Sequence, residues 1–361
     1  MASTALNGAA LASLPASVEV EDAAAKERRA RWIISPAIDL TCFVFVSLLT
    51  IGPWLASDHF GVSGHWVLYA VAIFNGPHLF STWTRVYMPR RERFRRPLHY
   101  WLVPGLLATF AVGCLAADGL GPVYLRTVIF YWASWHFVQQ AYGILRIYQR
   151  KHGVVGTFVA RLERTLLYLV CGFCVLHRVY TGPWDLFNVQ IIHPFPRAWE
   201  VNAVGGVTAA VAILYLLVLL RKPQEIVRPL LIAFTAFGFA MPFLVIKNGT
   251  SAFAAAALWH AVQYLGIVWH YNRTRYVGKR DAGARVISWA SQPGRTVAYC
   301  GVLLACAVGA YAVIFAVAPL IGWDVPKTAL GMWTSMTLGH YYLDGVIWKF
   351  KQYDLSNLVS A

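Results

Sequence analysis

The sequence predicts an all-α, polytopic integral membrane protein of about ten transmembrane helices, and three observations carry that expectation. Of 361 residues, 58% are hydrophobic and 13% are charged, against about 25% charged in an average soluble domain. The mean hydropathy is +0.53, and the apolar residues gather into repeated runs of roughly 20, the length that crosses a hydrocarbon core about 30 Å thick. The net charge of +15 is concentrated in Arg/Lys clusters at the ends of those runs, as membrane topology demands. A soluble or disordered chain is excluded on composition, and no nucleic-acid partner is needed to explain the charge.

The first span, 36–57, follows Lys26, Arg28, Arg29 and Arg31 and carries Asp39 in its first turn, where a carboxylate suits the helix dipole and needs no further role. Span 65–87 runs into Arg90-Arg91-Glu92-Arg93-Phe94-Arg95-Arg96, from which span 98–117 returns. Span 123–148 ends on Arg150-Lys151. Span 162–181, with Glu163 in the same dipole position, leads into a longer loop over 182–200. Span 201–220 ends on Arg221-Lys222, span 229–247 returns, and span 251–272 ends in the basic stretch from Arg273 to Arg295. Spans 296–321 and 329–350 complete the set, the last closing on Lys349 and Lys351.

With these ten spans, 26 of the 31 basic residues fall on the side of the termini, and only Arg126, Arg178, Arg197, Lys247 and Lys327 fall opposite. The positive-inside rule then puts both termini in the cytosol, with a bacterial cytoplasmic (inner) membrane as the expected host. Residues 1–30 read as a disordered tail with a basic end, 31–351 as one transmembrane domain, and 352–361 as a short C-terminal tail. The 1–30 segment lacks the basic region and apolar core of a signal peptide. All six cysteines lie within or beside spans. Cys171-Gly-Phe-Cys174 has redox-motif spacing, but in an apolar helix it reads as small apolar packing.

Ionisable groups deep in a span are costly in hydrocarbon and therefore mark function. His78, His136, His260 and His340 lie in the second, fourth, eighth and tenth spans, all of which run the same way. They stand 7, 10, 13 and 9 residues before Arg85, Arg146, Arg273 and Lys349, which places them about 10–20 Å below one membrane boundary. One turn further on come Ser81 and Thr82, Gln139 and Gln140, Gln263 and Tyr264, and Asp344, on the same helix faces. The sixth span runs the same way and has neither layer. His59, His65, His177 and His193 fall near one surface and His99 and His152 near the other. His270 lies about 80° off the face of His260. Trp135-His136-Phe137-Val138-Gln139 and Trp259-His260-Ala261-Val262-Gln263 share a local pattern, and Gly143, Gly266 and Gly345 follow the histidines, where glycine suits close helix approach.

Neutral imidazole is the commonest transition-metal ligand, and several imidazoles with a carboxylate suit non-haem iron. Asp344 is the one carboxylate deep in a span beside a layer histidine, and reads as ligand or general base, or as a salt-bridge partner of Lys349. Thr82, Gln139, Gln140 and Gln263 are placed to orient the imidazoles, and Tyr264 to carry protons or electrons. Met336, one turn before His340, would suit copper or simply pack. Haem needs only two of the histidines. Phe74, Phe80, Trp83, Trp132, Trp135, Tyr341 and Tyr342 crowd these helices, as ordinary packing or as the wall of a pocket for a lipophilic molecule.

With one histidine on each of four separate helices, at His78, His136, His260 and His340, the chain resembles the integral-membrane multi-histidine non-haem iron oxygenases. Among them it looks like the bacteriorhodopsin-related-protein type of β-carotene dioxygenase. The likeness is one of arrangement, since the tight H-x-x-H-H boxes of membrane desaturases are absent. It implies iron held by histidines from separate helices. The function expected is a metal-dependent membrane oxygenase acting on a lipophilic small molecule among membrane lipids, with reductant from an electron-donor protein or from the substrate. The alternatives are a proton-coupled transporter using the same His/Asp/Gln layer, and a haem- or pigment-binding membrane subunit.

Overall fold

The computed structural model describes residues 31–117, 119–181, 185–221 and 226–349. The tails expected at 1–30 and 352–361 lie outside the described residues. Regular structure is helical apart from one hairpin, in which β1 (Asp185–Leu186) pairs antiparallel with β2 (Val189–Gln190). Ten long helical rods follow one another among the described residues: α1 Pro36–His59, α2 Gly64–Val86, α3 Leu98–Ala116, α4 Gly121–Lys151, α5 Phe158–Tyr180, α6 Ala198–Arg221, α7 Val227–Val245, α8 Gly249–Tyr276, α9 Thr296–Ile321 and α10 Val325–Ile347. Their bounds match the ten expected segments to within a few residues.

Six of the rods, α1, α3, α6, α7, α8 and α9, are long and apolar enough to cross a membrane. The other four, α2, α4, α5 and α10, are as long but less apolar. Three of these carry His78, His136 and His340, and α5 carries Arg161, Glu163, Arg164 and Arg178. Hydropathy by itself thus supports six of the ten expected spans.

The distribution of side chains suits an apolar surround. The most apolar window of α6 is only 11% buried, with Ile213, Leu216 and Leu220 facing outward, while Asp39, His78, Arg85, Glu163, Arg228 and His260 are inside. Around this interior α2 packs along α8 and α9, α3 along α10, and α5 against α6 and α7, whereas α4 meets α8 and α10 only over short stretches. Two glycines serve close approach. A Cβ on Gly76 would stand 3.0 Å from that of Ala307 on α9, and one on Gly266 would stand 3.2 Å from the Phe43 ring on α1. Gly143 and Gly345 differ from expectation: a Cβ at either meets nothing within 4 Å, so they open space instead of closing it.

Several helix irregularities, which hydropathy does not register, lie beside prolines. In α1 the backbone passes from a π turn (Leu40–Val44) through a 3₁₀ stretch (Phe45–Thr50) to a short α segment holding Pro53 and a second π turn (Leu55–His59). Pro104 follows a π turn at Leu98–Leu102 and Pro242 sits in one at Met241–Val245. Each proline removes an N–H from the regular ladder.

Asp39 and Glu163 do more than suit a dipole. Asp39 accepts hydrogen bonds from the Ile33 and Ile34 amides at 2.7 and 3.0 Å and from the Tyr148 hydroxyl at 2.6 Å, tying the chain before α1 to α4. Glu163 accepts from Arg228 Nη1 at 2.7 Å, Gln149 Nε2 at 2.9 Å and the Tyr215 hydroxyl at 3.2 Å, joining α4, α5, α6 and α7 through one buried carboxylate. Cys171 and Cys174 are free thiols buried in the main apolar cluster, in keeping with the packing role read from the sequence.

Candidate metal centre

Four helices deliver one histidine each to a common point. On α2, His78 directly follows Gly76-Pro77, where the helix ladder lacks an N–H. His136 comes from the middle of α4, His260 from α8 and His340 from α10. Each offers a ring nitrogen, and these atoms all lie within 4.8 Å of one another. The rings form a closed square: His78 adjoins His260 at 4.8 Å and His340 at 4.4 Å between centroids, and His136 adjoins the same two at 4.8 and 4.9 Å. Adjacent rings stand edge to face at 71–77°. None of the four is more than 6% exposed.

The square is polar and unsatisfied. His78 Nδ1, His136 Nε2, His340 Nε2 and both ring nitrogens of His260 are buried without a hydrogen-bond partner. Burying even one polar atom that way costs on the order of 1–3 kcal/mol, and a common ion, taking one nitrogen from each ring, would compensate four of the five and leave one nitrogen of His260 over. A transition-metal ion meets the need, since nitrogens bound at about 2.1 Å span up to about 4.2 Å across the centre. The observed spread is only slightly wider.

A hydrogen-bond network holds one side of the square. Thr82 Oγ1 lies 2.7 Å from His340 Nδ1, 3.2 Å from Asp344 Oδ1 and 2.9 Å from the Tyr264 hydroxyl. Tyr264 donates to Asp344 Oδ1 at 2.5 Å and accepts from Trp348 Nε1 at 3.2 Å. Asp344 Oδ2 stands 3.9 Å from His136 Nε2. The structure therefore brings Thr82, Tyr264 and Asp344 beside the histidines. It places the carboxylate beside the four-imidazole group and outside it, with Oδ1 already engaged.

The glutamines are arranged differently. Gln139 donates to the Tyr168 hydroxyl at 2.8 Å, Gln140 to the His260 carbonyl at 3.0 Å and to Gln263 Oε1 at 3.1 Å, and Gln263 to the Phe43 carbonyl at 2.8 Å. They fasten α4, α8, α5 and α1 to one another, and these bonds go to backbone and side-chain oxygens, not to imidazole nitrogens. At about 100° per residue a group three positions on points about 60° away from its histidine, enough to turn Gln139 towards α5. The shared W-H-x-V-Q pattern does not mark equivalent environments either: Trp259 is buried and bonded to the Gly238 carbonyl at 3.1 Å, while Trp135 is 56% exposed. Met336 packs in the apolar cluster with Phe80 and Leu303, and His270 lies outside the four-histidine group.

A cavity of about 650 Å³ opens between α4 and α10, beginning at His136, Tyr264 and Asp344 and ending at His99, Arg146 and Lys349. Its wall includes Trp132, Trp135, Tyr341 and Tyr342, so part of the aromatic crowding forms a pocket. Phe80 instead packs in a separate cluster, and Phe74 and Trp83 lie on the outer surface.

Sequence reasoning missed two members of the surround. Arg85, taken only as a boundary marker, is buried between the rings of Tyr271 and Trp348, at 4.1 and 3.9 Å from their centroids, and donates to the Ile347 carbonyl at 3.1 Å. Trp348 caps Tyr264. Helical spacing carried both signals: Arg85 is seven residues past His78, and Trp348 is four past Asp344. No family model, curated protein or solved structure matches this chain.

Proposed function

We propose that this protein is a membrane-embedded, metal-dependent oxidoreductase, a non-haem iron oxygenase acting on a lipophilic substrate, like the multi-histidine oxygenases its arrangement resembles. One observation carries the reading: four buried imidazoles from four helices, with unpartnered nitrogens, stand close enough to share one ion. In this reading all ten rods cross the membrane, both termini are cytosolic, and the host is a bacterial inner membrane. The α4 and α10 ends of the cavity then face the cytosolic boundary.

Iron is preferred because the donors are imidazoles with a carboxylate at hand. A thioether for copper is not offered, since Met336 packs elsewhere. Imidazole rings packed edge to face at 4.4–4.9 Å leave no slot for a haem macrocycle. Bound iron would supply the activation of O2 in a site shielded from water. His78, His136, His260 and His340 hold the ion, and Thr82 fixes the His340 ring. Tyr264 donates a hydrogen bond to Asp344 at 2.5 Å beside the centre, and the pair can lend or accept a proton there. The apolar cavity receives the substrate from the surrounding lipid, and reductant comes from an electron-donor protein or from the substrate.

The test is metal analysis with a visible spectrum on purified protein beside a His136→Ala/His260→Ala variant. Stoichiometric iron that disappears in the variant supports the reading. A folded parent that holds no metal under chelator-free conditions overturns it, and substrate flux in proteoliposomes would then identify a transporter.

A further inference from the structure

The cavity has two chemically different ends, and that difference defines what it takes. Its inner end touches His136, Asp344 and Tyr264, its middle is walled by Trp132, Ile144, Ile267 and Tyr341, and its outer end is reached by Arg146 and Lys349. From His136 to Arg146 is ten residues of α4, or about 15 Å along the helix. A volume of about 650 Å³ is that of an ordinary small-molecule pocket, about 300–1,000 Å³, and suits one chain better than a two-chain lipid. No carboxylate pairs with Arg146 or Lys349 among the described residues; Arg146 makes one long contact, 3.4 Å to Gln149 Oε1.

We propose that the cavity between α4 and α10 binds a single-chain amphiphile with an anionic head, the head held by Arg146 and Lys349 and the chain laid along Gly143 and Gly345 towards the four histidines. The inference rests on the oxygenase reading and narrows its substrate class. It also explains the two glycines. Gly143 and Gly345 line the cavity, and a Cβ on either would meet nothing within 4 Å, so their missing side chains leave room for the ligand. Anchoring the head about 15 Å from the centre presents the middle of the chain to it and keeps the head away. The cationic end is complementary to an anion, which a carboxylate or a phosphate monoester supplies equally.

The experiment measures saturable binding to protein in phosphatidylcholine nanodiscs of three probes: oleate, oleoyl lysophosphatidate and the uncharged methyl oleate. Oleate, lysophosphatidate or both should bind at least about tenfold more tightly than methyl oleate, the factor expected of a charge-assisted bond. Which of the two binds identifies the head. Arg146→Gln/Lys349→Gln should erase that preference, and Gly143→Leu, which fills open space without a clash in the fold, should remove binding of all three. Arg280→Gln/Arg285→Gln, exposed basic residues outside the cavity lining, controls for general attraction of anions and should change nothing. Equal affinity for methyl oleate and the two anions, or oleate binding unchanged in Gly143→Leu, overturns the proposal. Metal content measured on the same preparations separates the two claims. Selective anion binding without metal defeats the oxygenase reading alone, and metal without selectivity defeats this one alone.

Discussion

Thr82 Oγ1 lies 2.7 Å from Nδ1 of His340, and the other nitrogen of that ring, Nε2, is buried without a partner. The two facts fit one tautomer: Nδ1 carries the hydrogen and gives it to Thr82, which leaves the Nε2 lone pair for an ion. Thr82 can accept from the ring and donate its own hydrogen to Asp344 Oδ1 at 3.2 Å, so a carboxyl group on α10 sets the orientation of the His340 ring through a hydroxyl on α2.

Replacing that hydroxyl should therefore cost metal. Thr82→Val keeps the shape and removes the bond, and metal affinity should fall about 10–100-fold. Thr82→Ser should retain most of it. Competition with a chelator of known affinity, read by mass spectrometry of the retained metal, measures both, and parental affinity in Thr82→Val would show that the bond does not orient the ring.

Glu163 and Arg228 form a fully buried pair joined at 2.7 Å, with Gln149 and Tyr215 on the remaining lone pairs. Breaking it from one side strands a charge, which costs about 3–5 kcal/mol. Glu163→Gln should lower the melting temperature in detergent by well over 5 °C, while removing both charges together in Glu163→Gln/Arg228→Met should recover part of the loss. An unchanged melting temperature in Glu163→Gln would mean that the pair does not hold α5 and α7 together.

The helices and their ends were legible in the sequence because apolar runs of roughly 20 residues stop at charged clusters, although six of the ten are apolar enough to cross a membrane by hydropathy alone. The four histidines were legible for a related reason: counting from His78, His136, His260 and His340 to the next basic residue gives 7, 10, 13 and 9 residues, and groups at similar levels on helices that run the same way can meet. Depth says little about rotation. Gln139, Gln140 and Gln263 share the depth of Thr82 but turn to neighbouring helices, and only packing decides that. Nor does hydropathy tell whether a glycine admits a neighbour or leaves a void, so Gly266 and Gly143 read alike and behave oppositely. Arg85 was hidden by the rule that made it useful, since a basic residue at a span end is expected to reach outward and this one turns inward between two aromatic rings.

That inward placement makes Arg85 hard to replace by another cation. Lysine cannot lie flat between Tyr271 and Trp348 while also reaching the Ile347 carbonyl, so Arg85→Lys should cost about 1–2 kcal/mol from the lost stacking and hydrogen bond. Thermal melts in detergent provide the readout. Freed from its neighbour, Trp348 should also lose part of its fixed contact with Tyr264, visible as a change in near-ultraviolet circular dichroism. A melt and spectrum identical to the parent's would count against the sandwich.

The role of Asp344 separates two versions of the centre. Its Oδ1 takes the Tyr264 hydroxyl at 2.5 Å and Thr82 at 3.2 Å, and its Oδ2 stands 3.9 Å from His136 Nε2, so both oxygens are within the network that surrounds the imidazoles. If the four histidines suffice to hold the ion, Asp344→Asn keeps its size and one acceptor oxygen and should retain metal at near-parental stoichiometry. Turnover should nevertheless fall by about 10²–10⁴, the range for losing a positioned acid–base group, because the amide cannot exchange a proton with Tyr264. Tyr264→Phe should reproduce the loss of turnover, and adding it to Asp344→Asn should cost little more, since the two act as one unit. Loss of metal in Asp344→Asn with the fold intact would instead make the carboxylate a ligand, and the network would then be the outer support of a five-donor site.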